Sequence, residues 1–207
     1  MCIERTARRQ TQRGLSLIEL LIFIVIVGIA LAGVITVLRM TSAHSADPMV
    51  RKQMLTIAEG LLEEVEMQPF TVCDPTDANA TTATTTAGCA TKIQGFGQPT
   101  GAANRGFFNN VGNYCSEVGT GGATCSTLAL GTAGSATSTI PNLTGGSSSQ
   151  AGYSATISLT PEALGGIASV AAAAGMNVLR IKVTVSSYAF PENVVLEGYR
   201  TRWAPHL

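Results

Sequence analysis

The chain has 207 residues, 45% of them hydrophobic and 13% charged, with a formal net charge of zero. That length suits one modest domain plus an anchor. The charge is unevenly placed, a net +3 over residues 1–14 and a net −3 over the remainder, and the remainder has no basic stripe, which argues against a nucleic-acid partner.

Residues 1–14 carry Arg5, Arg8, Arg9 and Arg13 against Glu4 and show no hydrophobic periodicity. They read as a leader rather than as structure. A basic end before an apolar run holds an N-terminus on the cytoplasmic side. Arg8-Arg9 suggests twin-arginine export, but Gln10, Thr11 and Gln12 follow where apolar residues should, and that reading is set aside. Residues 20–38 hold no charge at all. As a helix they would extend roughly 28 Å, close to the thickness of a bilayer core. Leu, Ile and Val dominate all round, with Gly28 and Gly33 inside and no polar face of the kind a soluble amphipathic helix shows.

One carboxylate, Glu19, heads this run. A charge in hydrocarbon costs about 2.5–3.5 kcal/mol on insertion scales, although the helix N-terminus offers it the favourable end of the macrodipole. Position alone leaves two readings open: a side chain facing interfacial water, or a functional contact. A competing reading of the whole segment is an ordinary secretory signal cut at Ala30-Leu31-Ala32, releasing a chain that starts at Gly33. Against it, the apolar run continues to Leu38 and Glu19 is out of place in such a signal.

Residues 39–46 extend the helix as a polar segment. Asp47-Pro48 reads as an N-cap followed by proline at the first helical position, so a break is expected near Pro48. An amphipathic helix over 49–67, ended by Pro69, follows. Met54, Leu55, Ala58, Leu61, Leu62 and Val65 recur at three- and four-residue steps. Arg51, Lys52, Glu59, Glu63, Glu64 and Glu66 form the expected solvated face. The pattern lasts under three heptads, too short for a coiled coil, and the stripe is expected to pack on a sheet.

Residues 69–152 are rich in Thr, Ala, Gly and Ser, with 81–86 close to low complexity. Long surface loops with a few short strands are expected, and Phe96, Phe107, Phe108, Val111, Tyr114 and Leu128 are the core candidates. Gly119-Thr120-Gly121-Gly122 lacks the lysine and the strand–helix context of a phosphate loop. Four of the five cysteines, Cys73, Cys89, Cys115 and Cys125, fall after the apolar run, and Cys2 before it. An even number in an exported, loop-rich region reads as two disulfides. Three connectivities are open, and nearest-neighbour pairing, Cys73 with Cys89 and Cys115 with Cys125, closes the shortest loops. No metal site is expected, since there is no C-x-x-C and His44 and His206 are far apart.

Residues 153–207 alternate. Tyr153, Ala155, Ile157 and Leu159 form one half-buried strand, and Leu179, Ile181, Val183 and Val185 a second. A last strand runs over 194–203 after a turn at Pro191-Glu192-Asn193. An Ala/Gly-rich stretch over 161–175 is expected to hold a short helix. The strands need a cover, and the 49–67 helix has the matching stripe. No catalytic constellation is visible, so neither enzyme activity nor a cofactor is expected.

The stretch Arg13-Gly14-Leu15-Ser16-Leu17-Ile18-Glu19, with the apolar run behind it, resembles the prepilin N-terminus of type IV pilins and type II secretion pseudopilins. The resemblance implies cleavage by a prepilin peptidase between Gly14 and Leu15, N-methylation of Leu15, and docking of Glu19 on the N-terminal amine of a neighbouring subunit. Leu15 replaces the family's usual phenylalanine, and Thr36 stands where major pilins commonly carry proline, which suits a minor pilin or a pseudopilin. Asp47-Pro48-Met49, Ile57-Ala58-Glu59-Gly60-Leu61-Leu62-Glu63-Glu64-Val65, Gln68-Pro69-Phe70 and Gly198-Tyr199-Arg200-Thr201-Arg202-Trp203-Ala204-Pro205 resemble the minor pilin D group of the mannose-sensitive haemagglutinin pilus.

The resulting expectation is an α+β, type IV pilin-like chain. A cleaved leader (1–14) precedes a transmembrane and assembly helix (15–46). A helix of the head (47–68), a disulfide-stapled loop region (69–152) and an antiparallel sheet (153–207) complete it. The resemblance implies as partners the peptidase, other pilin or pseudopilin subunits, an inner-membrane assembly platform and, before assembly, lipid. It also implies a single pass through a bacterial inner membrane, with the head periplasmic, and later a place in a pilus or pseudopilus. The alternatives are a type II secretion pseudopilin and a membrane-anchored, adhesin-like binding module.

Overall fold

A computed structural model describes residues 16–118 and 125–202. The leader with Gly14 and Leu15, the glycine-rich 119–122 stretch and Trp203, Ala204 and Pro205 lie outside the described residues. The chain forms two units, Met1–Ala46 and Asp47–Leu207.

The first helix, α1, is assigned over Leu17–Glu66, with Pro48 inside it. This corrects the expected break at Asp47-Pro48. Proline removes one backbone donor and crowds the preceding turn, yet the helix is continuous through it. In the first unit, Leu17–Met40 is a 24-residue apolar segment, about 36 Å at the helical rise. Every side chain from 16 to 40 is exposed.

In the second unit, the end of α1 buries Met54, Ala58, Leu61 and Val65 at successive helical steps, and Val50, Ile57 and Leu62 flank them. Leu55 is 38% exposed, off the stripe that the sequence suggested. The helix stops at Glu66 because the residue before Pro69 is pushed out of helical geometry.

Against this stripe lies a five-stranded antiparallel sheet in the order β1-β2-β5-β6-β7. The strands are β1 (Cys115–Val118), β2 (Cys125–Leu130), β5 (Tyr153–Pro161), β6 (Val178–Ser187) and β7 (Phe190–Thr201). β3 (Thr139–Pro141) and β4 (Ser147–Ala151) form a separate pair. The register sets Ile157 opposite Val183 and Leu159 opposite Ile181, so one face of apolar residues meets the helix. The Tyr153 hydroxyl donates to Gln53 on α1 and ties strand to helix.

The sheet and its loops also differ from the sequence expectation. β1 and β2 come from the loop-rich region and widen the expected three strands to five. The last hairpin turns at Tyr188-Ala189, where Ser187 Oγ accepts the Ala189 amide (3.2 Å), and Pro191 lies within β7. Proline is tolerated there because β7 is the sheet edge. The helical turn in the 161–175 stretch is only a 3₁₀ turn, Ala173–Gly175. Phe107 is 59% exposed, whereas Phe108 is buried and meets Tyr114 edge-on at 5.0 Å.

Gly112, in the 3₁₀ turn Val111–Asn113, has no room for a side chain, because a Cβ there would collide with the Gly95 carbonyl oxygen. Gly112→Ala is expected to cost about 1–3 kcal/mol, the usual range for overpacking. Urea unfolding of the full chain in detergent measures it, and an unchanged midpoint would refute this.

Candidate functional site

Ser16 stands just before α1, and its carbonyl accepts the amides of Glu19 (3.0 Å) and Leu20 (3.1 Å). The spacing Ser16-x-x-Glu19 is that of a capping box, a local signal that the sequence reading passed over. Glu19 therefore lies in the first turn, at the positive end of the helix dipole. Its side chain is exposed, as are Leu17, Ile18, Leu20 and Phe23 around it.

A helix apolar on every side, and exposed on every side, has no stable place in water. Lipid or other helices must cover it. Gly28 and Gly33 have open space within 4 Å of where a side chain would begin. Such small positions let a neighbouring helix approach closely. Thr36 satisfies its hydroxyl on the Ala32 carbonyl at 2.8 Å, as polar residues in apolar helices do.

In the second unit the cysteines are joined as Cys73 with Cys89 and Cys115 with Cys125, the nearest-neighbour connectivity. The first bond closes a loop that Asp77 organises. Its carboxylate accepts the backbone amides of Asn79 (2.9 Å), Ala90 (3.0 Å), Thr91 (2.7 Å) and Lys92 (2.8 Å). These amide bonds, that of Asn79 foremost, hold the Asp77 carboxyl well below the ordinary carboxylate range. A depressed folded-state value means stability that is fully present above the ordinary value of 3.8 and is lost as pH falls below it. Asp77→Ala is expected to speed hydrogen exchange at the amides of Ala90, Thr91 and Lys92 selectively. Exchange at wild-type rates there would refute the role.

Glu64 departs from expectation. It is not on a solvated face. Arg105 holds it in a fork, Nε to Oε1 at 2.8 Å and Nη2 to Oε2 at 3.2 Å, with side-chain exposures of 8% and 15% for Arg105 and Glu64. The Tyr114 hydroxyl donates to the same Oε1 at 2.9 Å, and Arg105 Nη1 donates to the Pro141 carbonyl at 2.9 Å. Burial first, and then the Glu64 charge, push the Tyr114 phenol well above its ordinary value, so it stays a donor. Glu64 thus binds the helix to the turn Arg105–Phe107 and to Tyr114, and Arg105 carries the link on to β3. The sequence held a trace of this: Glu64 lies three residues beyond Leu61, on the flank of the buried stripe.

The family model described as the prokaryotic N-terminal methylation motif matches residues 9–35. That span contains Gly14, Leu15 and Glu19 and most of the exposed apolar helix. Comparison with curated proteins and with solved structures finds no match.

Proposed function

We propose that the chain is a type IV prepilin-like protein held in the membrane by its apolar helix, and that it is a minor pilin assembled into a pilus of the mannose-sensitive haemagglutinin type. The N-terminal methylation motif, running directly into a helix exposed on all sides with Glu19 at its head, carries this reading. Prepilin peptidase cuts after Gly14 and methylates the new amine of Leu15. The cut places a cation four residues before Glu19. Glu19 then pairs with the amine of a neighbouring subunit, and the helices bundle. The apolar segment is lipid-held before assembly and becomes the fibre core afterwards. The role is structural and non-catalytic.

The subgroup rests on the resemblance of residues 47–70 and 198–205 to the minor pilin D group. Thr36, in place of the proline common in major pilins, equally suits a pseudopilin of a type II secretion system. Deletion in the host separates the two, since loss of surface fibres supports the pilus and loss of exported enzymes supports the pseudopilus. A membrane-anchored binding module is the reading from another class. Mass spectrometry of the mature protein decides against or for it: N-terminal methyl-Leu15 is the expected result, and a start at Met1 or Gly33 overturns the pilin reading.

A further inference from the structure

Among the described residues, two arginines at the end of the sheet have no ion-pair partner. Arg200 in β7 donates from Nη2 to the Gln68 carbonyl at 3.3 Å, and Arg202 from Nη1 to the Ala173 carbonyl at 3.0 Å. Nε of both, and Nη2 of Arg202, are buried without a hydrogen-bond partner. The ion pairs among the described residues use Arg105 and Arg180, not these two. The Arg202 guanidinium lies over the Phe70 ring, 4.9 Å from its centroid. Burial pushes Arg202 down to about 10, the direction expected of a cation taken from water without an anion beside it.

Beside them is a cleft of about 410 Å³ with Phe70, Val72, Pro75, Ala83 and Arg200 in its walls. That volume is within the range of small-ligand pockets. Its outer wall belongs to the loop that the Cys73 disulfide and Asp77 hold in place, so little ordering remains to be done on binding. An apolar wall with an unneutralised guanidinium at its edge complements one kind of ligand: an apolar body carrying a carboxylate. Arginine binds carboxylates through two parallel donors, and Arg200 stands in the wall of the cleft.

We propose that this cleft docks a carboxylate borne on an apolar peptide segment of a partner protein. Arg200 takes the carboxylate, and Phe70 and Val72 take the adjoining apolar side chain. The site is separate from Glu19 and from the fibre-forming helix, and it stands whether or not the chain is a pilin.

The test uses the full chain in detergent micelles with ¹⁵N-labelled arginine, following the Nε–H resonances of Arg200 and Arg202. N-acetyl-leucine should shift both saturably. N-acetyl-leucinamide, which has the same apolar body without the charge, should bind at least about tenfold more weakly, the value of one charged hydrogen bond. Arg200→Gln should remove the response. Thr81→Trp, at the exposed rim, should block the cleft while leaving both arginines in place. Equal shifts with acid and amide, no saturable shift, or unchanged binding in both variants overturns the proposal. Inorganic phosphate acting as strongly as N-acetyl-leucine makes this a simple anion site and overturns it too.

Discussion

Arg105→Ala is expected to lower the stability of the second unit by about 3–5 kcal/mol, the usual cost of leaving one partner of a buried ion pair alone. Glu64 would lose its ion-pair partner at a position where its side chain is only 15% exposed, with the Tyr114 hydroxyl as its remaining donor there. The Pro141 carbonyl would lose the donor that ties β3 to the turn. Replacing both partners with apolar residues of similar size, Arg105→Met with Glu64→Leu, should cost far less, because no charge is stranded. The four tyrosines all fall after residue 47, so circular dichroism in the tyrosine band during urea unfolding reports on this unit. A loss under about 1 kcal/mol for Arg105→Ala, within the range of an exposed pair, would show the fork to be ornamental.

Glu19→Ala is expected to reduce incorporation into the fibre by about two orders of magnitude or more, while the protein remains in the membrane. On the proposed docking role, Glu19 meets its partner only when a neighbouring subunit supplies an amine. Removing one member of a pair that becomes buried costs about 3–5 kcal/mol, and each 1.4 kcal/mol is about a factor of ten. Glu59→Ala, at an exposed position of the second unit, controls for loss of an acidic residue as such. Immunoblots of sheared fibres against membrane fractions measure the ratio. Incorporation of Glu19→Ala at the wild-type level would sink the docking role.

Much of the architecture was legible because its signals are local. An unbroken apolar run with a glutamate at its head is visible without knowing any contact. So are period-two alternation in 153–159 and 179–185 and the helical steps of Met54, Ala58, Leu61 and Val65. The misreadings share a cause. Pro48 is a helix-breaking residue on average, yet its cost is confined to one turn and the helix runs on. Pro191 signals a turn, yet at a sheet edge its missing donor faces away from the ladder, and a serine two residues before Ala189 makes the turn instead.

The sequence by itself determined the anchor, the place of the motif, the helix that covers the sheet and three of its strands, since each follows from residues within a turn or a strand of one another. Only the tertiary structure decided what depends on distant neighbours. Glu64 became largely covered because Arg105, 41 residues away, and Tyr114, 50 residues away, fold onto it. Phe108 rather than Phe107 entered the core because the turn Arg105–Phe107 directs adjacent side chains oppositely. β1 and β2 joined the sheet by pairing through β2 with β5. Arg200 came to line an apolar cleft, and Arg202 to lie over Phe70, only when the final strand returned beside that ring. Charge, unlike hydrophobic periodicity, takes its meaning from what is brought beside it.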